Sequence, residues 1–191
     1  MNIITDTLPQ HIEVCGQECR IRTDFRTWIR FTCIASGNLD KVHKSMEIIK
    51  LLFYDIPPNL LGAIKAAMDF CNPYKKSGEK GESKKHEQAY DFEYDAHAIY
   101  AAFKQQYRID LRTEDMHWYE FRALFDNLTD DTLFVKTLGF RTVDLGEIKG
   151  EEMKKYYSKM KQLHALPDKR STEQKNNDFN NAFFSAFVMG K

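Results

Sequence analysis

Apolar residues recur three and four positions apart along most of this chain, in short runs separated by capping residues, glycine and proline. That pattern permits little other than a set of short amphipathic α-helices. The clearest case is Leu39, Val42, Met46, Ile49 and Phe53, which the spacing places on one core-facing side of a helix. Asn38 is positioned to cap it, and Pro57 and Pro58 end it. Before it, Thr23 or Asp24 can cap a helix bearing Phe25, Trp28 and Ile29, which Gly37 stops. After it, Leu61, Ile64 and Met68 share a face of a third helix over about 59–70.

Departures from this period mark the boundaries. HIEVCGQECRIR at 11–22 alternates around Gly16 and Gln17 and predicts a short β-hairpin. NPYKKSGEKGESKKHEQ at 72–88 has nothing to bury, and it predicts a mobile linker or exposed loop between an N-terminal unit, 1–71, and a C-terminal helical half, 89–167. In that half Asp95 can cap a helix with Ile99, Phe103 and Tyr107 on one face. A helix from about Glu114 carries Trp118, Phe121, Phe125 and Leu128. Asp130 and Asp131 can cap a shorter one that Gly139 ends, and Met153, Tyr157, Met160 and His164 or Leu163 stripe a charged helix from about Glu151. Residues 168–191 form a polar tether and a Phe-rich segment. The predicted fold is mainly α, helical bundle-like, with a short N-terminal β-hairpin.

Composition narrows the function. Lys and Arg number 28, as do Asp and Glu, so the formal net charge is zero. Phosphate binding and polybasic membrane attachment call for a basic excess, so neither nucleic acid nor a membrane is the expected partner. At 22.4 kDa the chain is large enough to bury roughly 70% of its unfolded surface. No apolar run reaches the length of a membrane span, and MNIITDTLPQ lacks a signal-peptide pattern, so a cytoplasmic location is expected. The four cysteines, Cys15, Cys19, Cys33 and Cys71, read as structural thiols.

No chemistry-bearing motif assembles. The six histidines are scattered without HExxH spacing, and no glycine loop leads into a helix opening with Lys and Ser or Thr. No G-x-S-x-G is present, and the carboxylate pairs Asp130/Asp131 and Glu151/Glu152 stand at helix starts, where the dipole favours them. A non-enzymatic protein with neither cofactor nor metal is expected. The lysines at 75–85 are interleaved with glutamates, which reads as a solvated loop, with a nucleic-acid or host-protein contact as the alternative.

The candidate functional residues lie near the C-terminus. A tether of eleven polar residues, spanning roughly 18 Å as a random coil, precedes DFNNAFFSAFVMGK. There Phe179, Phe183 and Phe187 recur every four positions, with Phe184 and Val188 beside them, so a helix would present an aromatic ridge. Such a ridge either docks on the protein's own core or serves self-association or partner binding.

DFRTWIRF, YDFEYDAHAIYAAFKQQYRIDL, HWYEFRALFDNLTDDTLFVKTLGFRTVDL and YYSKMKQLHALP, in that order, resemble the bacteriophage "gene product fifteen" family of long-tailed phages of Gram-positive hosts. The resemblance covers most of 20–167 and includes no catalytic residues. It implies a role like that of tail assembly chaperones, which bind the tape-measure protein, recruit tail-tube subunits and are absent from the finished virion. It implies action in the host bacterial cytoplasm. Such chaperones are commonly made in two lengths by a one-base ribosomal slip. The run Met189-Gly190-Lys191 would create a slippery heptamer if Gly190 is encoded GGA, which reading that codon tests.

Overall fold

The computed structural model describes residues 2–38, 40–73 and 89–168. Strands β1 (His11–Val14) and β2 (Gln17–Arg20) pair antiparallel, with His11 opposite Arg20 and Val14 opposite Gln17. The turn is Cys15–Gly16, one residue earlier than the alternation suggests. Both turn residues have positive φ, 52° and 81°, as the tight turn matching strand twist requires. This register turns Ile12, Val14 and Cys19 to the buried face, whereas a slip in pairing would reassign faces.

Three helices follow. α1 (Phe25–Ser36) is capped by the Asp24 carboxylate, which accepts from Arg26 N, and Gly37 ends it. Its buried residues are Phe25, Trp28 and Phe31. α2 (Lys41–Leu52) is capped by Asp40 instead of Asn38: the Asp40 carboxylate accepts from both Val42 N and His43 N, and its charge suits the dipole. α3 (Leu60–Cys71) starts after both prolines, with Asn59 as cap.

The inward faces of α2 and α3 match the expected stripes in part: Ile49 and Phe53 are buried and Ile64 packs against the core, whereas Val42, Met46, Leu61 and Met68 face out. α2 buries Ile48, Ile49 and Leu52, and α3 buries Ala63, Ala67, Phe70 and Cys71. For α3 the reason is close approach. α3 lies against β1, where a Cβ on Gly62 would stand 3.4 Å from Cys15 Sγ and 3.5 Å from Val14 Cγ1. Small side chains fit that spacing, so the alanine face turns inward and the bulkier Leu61 and Met68 face out.

The C-terminal part comprises α4 (Ala96–Tyr107), α5 (Trp118–Asp126), α6 (Leu133–Thr142) and α7 (Glu151–Leu163). α4 buries Ile99 and Phe103, and the Tyr107 hydroxyl donates to the Leu124 carbonyl. α5 begins at Trp118, not near Glu114, because His117 and Glu120 form a reciprocal cap on its first turn. α6 is capped by Thr132 instead of Asp130 or Asp131, and it continues through Gly139 to Thr142. α7 opens with Glu151 and Glu152, packs on α6 and has no buried residue.

One aromatic core draws on residues before and after the 72–88 segment. Phe25 stacks on Phe121 at 4.9 Å between ring centroids, Phe121 on Phe103 at 5.1 Å, and Trp28 on Phe70 at 4.6 Å. Backbone bonds join the same parts: Trp118 N donates to Thr23 O at 2.8 Å, and Phe25 N to Met116 O at 3.1 Å. Both indole N–H groups are satisfied, Trp118 by the Cys71 carbonyl and Trp28 by the Arg22 carbonyl. The architecture is mainly α, with only the two-stranded hairpin added among the described residues.

Candidate partner-binding surfaces

The residues read as a ridge, Phe179, Phe183, Phe184, Phe187 and Val188, lie outside the described residues, as does the lysine-rich stretch at 74–88. Within the described part, exposed apolar side chains group on two kinds of helix face, while Ile4, Tyr54, Ile56, Tyr94 and Leu133 are exposed elsewhere. The first kind is the outside of α2 and α3. Val42 is 68% exposed, Met46 49%, Leu61 78% and Met68 51%. These are the residues that sequence periodicity assigns to the core. α2 and α3 are therefore apolar on two sides, one spent on the interior and one open, and spacing alone cannot tell the two apart.

The second is on α7. Tyr157 and His164 turn toward α6, where the His164 ring stacks on Phe140 at 5.4 Å. Lys161 Nζ reaches the Val143 carbonyl on the same side. Beside this contact, Met153, Tyr156 and Leu163 are half or more exposed, and Met160 is partly so.

A cleft of about 740 Å³ opens between the ends of α1 and α3 and the start of the C-terminal part, with Phe31, Met68, Tyr90, Trp118 and Arg122 among its walls. Its cation is already engaged: Arg122 donates to the Tyr90 hydroxyl and, through Nη2, to both oxygens of Asp126. Cys71, also in the wall, is pushed up to about 11 by burial, so its thiol stays protonated and unreactive at neutral pH. The cleft is a mainly apolar recess in which Arg122 is paired through Nη1 and Nη2 while its buried Nε makes no hydrogen bond.

Two polar devices hold the frame around these surfaces. Asp95 does not use its carboxylate to cap α4. It binds Arg141 in a two-pronged ion pair at 2.7 and 2.8 Å and accepts from Asp91 N, with both side chains over nine-tenths buried. Arg141 also donates to the Ala89 and His164 carbonyls, so one guanidinium ties α6 to the start of α4 and to the end of α7. His117 accepts from Tyr119 N at Nδ1 and donates from Nε2 to the Pro9 carbonyl, both at 3.0 Å. Burial holds its pKa below the ordinary histidine value, against the opposing pull of the Pro9 carbonyl and Glu120. Among the described residues no group of His, Cys, Asp and Glu is placed to hold a metal ion, and no helix is long and apolar enough to cross a membrane.

Fold and surface together define a small, mainly helical protein whose helices leave apolar faces open on the outside. The family model described as Bacteriophage Gp15 protein matches residues 4–166, and the chain belongs to that family. It is a phage protein, as the order of its aromatic motifs implied. No curated protein and no solved structure matches it.

Proposed function

We propose that this phage protein is a tail assembly chaperone that binds the tape-measure protein and tail-tube subunits through apolar helix faces, without catalysing a reaction. The observation that carries the reading is the exposed apolar residues of α2 and α3, where Val42, Met46 and Leu61 stand open and Met68 is half exposed at the cleft beside a filled core. A tape-measure protein is long and helical, and its apolar faces need temporary cover before the tube encloses it. An exposed helix stripe provides that cover by helix-to-helix packing and can be released to a successor. The Phe179, Phe183, Phe184, Phe187 and Val188 ridge is a second candidate contact, suited to the client or to another copy. The place of action is the host bacterial cytoplasm, and the protein leaves before the virion is complete.

The test is co-expression of the tagged full chain with the tape-measure protein of the same phage. We expect the two to co-purify, and Met46→Glu with Leu61→Glu to reduce recovery at least tenfold while circular dichroism stays unchanged. A wild-type chain that retains no tape-measure protein under these conditions overturns the proposal.

A further inference from the structure

α7 is held to the rest of the protein along one side, by Tyr157, Lys161 and His164, and buries none of its residues. Its neighbouring face carries Met153, Tyr156, Met160 and Leu163 at steps of three, four and three, the spacing of a helix-packing seam. A seam of that length, about 15 Å at 1.5 Å per residue, is long enough for one short helix. Met153, Tyr156 and Leu163 stay half or more exposed along it, and the Tyr156 ring meets Phe140 of α6 at 6.5 Å between centroids.

We infer that this face of α7 is the docking surface for the chain's own segment Phe179–Val188, laid along it as an antiparallel helix. The sequence of that segment supplies a complementary side. Phe179, Ala182, Phe183, Ala186 and Phe187 fall on one helical face, the alanines allowing close approach and the ridge running about 12 Å. The connection has the right reach. α7 ends at Leu163, and the polar run before Phe179 spans roughly 18 Å as a coil, whereas packed helices lie about 8–10 Å apart. A tether of that length also holds the segment at an effective concentration on the order of millimolar, above that of a second copy in solution. Charge points the same way. α7 carries four lysines against two glutamates, so a second α7 laid on this face brings like charge together, while Asp178 is the one charged residue in 176–188.

The consequence is a covered ridge. Docked on α7, the phenylalanines are shielded until a competing helix displaces them. The inference does not need the chaperone assignment, and its test uses this chain alone, so the two can fail separately.

The test is hydrogen exchange, read by mass spectrometry on the full chain. We expect amides of 179–188 to exchange at least tenfold more slowly than in a synthetic peptide of that segment, at any protein concentration. Met153→Asp with Leu163→Asp, both at exposed positions, is expected to abolish that protection while peptides of α1 to α6 are unchanged. Should the double variant loosen the fold, Phe183→Asp supplies the reciprocal reading, faster exchange across α7. Exchange of 179–188 at the free-peptide rate in the wild type overturns the inference. Protection that grows with concentration alongside a doubled mass also overturns it and assigns the face to a second copy. Protection that survives both variants places the segment elsewhere and overturns it as well.

Discussion

Arg141 and Asp95 form the ion pair on which the packing of α6 depends most directly, because both charges lie away from water and each satisfies the other. Removing one partner leaves the other charged, buried and without its counter-ion, so Arg141→Met is expected to cost about 3–5 kcal/mol. Urea unfolding of the variant checks it, and the double variant with Asp95→Asn should lose less than the two single changes summed. His117 offers a pH test. Its folded pKa lies below the unfolded value, so the unfolded chain takes up a proton first as pH falls. Stability from this residue is therefore present above about pH 6.5 and declines as pH drops toward the folded value. Measured between pH 7 and 5.5, the decline in melting temperature should flatten in His117→Asn, which keeps a capping side chain but does not titrate. Cys15 is a non-glycine residue at φ 52°, in a turn position that asparagine adopts more readily. Cys15→Asn should stabilise by on the order of 0.5–1 kcal/mol, seen as a higher midpoint in thermal unfolding.

At the scale of the element, α2 and α3 show why an apolar stripe and a core face are different things. Ile48 and Leu52 are buried while Val42 and Met46, on the same helix, are open. Leu52→Ala is expected to cost about 2–5 kcal/mol, whereas Met46→Glu should change stability by about 0.5 kcal/mol or less; chemical denaturation distinguishes the two. Caps follow the same logic. Asp24 stands where local sequence places it, but Asp40 and Thr132 replace the expected caps Asn38 and Asp130 or Asp131, and His117 opens its helix later than the expected start near Glu114. A cap is chosen by the position at which the chain turns into the helix, and packing of the flanking loop decides that. Asp95 sits at the expected helix start, yet its carboxylate is turned to Arg141, forty-six residues away, which no local pattern announces.

At the scale of the whole molecule, the aromatic cluster makes 11–71 and 89–142 one structural unit. Phe121 lies at its centre, stacked on Phe25, Phe103 and Trp118. Phe121→Ala is expected to cost about 3–5 kcal/mol, with the tryptophan signals of Trp28 and Trp118 lost in one transition on heating. The helical class, the hairpin, most element positions and the α4 and α5 core faces could be read from residue order. They follow from short-range geometry: a period near 3.6, turn residues with their own φ preferences, and apolar side chains that must leave water. The Gp15 family pattern was readable for the same reason, since aromatic spacing on α4 and α5 is local. Ile49 and Phe53 were legible as core residues, but which face of α3 is buried was settled only in three dimensions, where contact with β1 admits alanine and turns Leu61 and Met68 outward. The open surface, the cap choices and the Asp95–Arg141 pair depend on which helix lies beside which. That is a competition among whole packings, and a single segment does not carry the information to decide it.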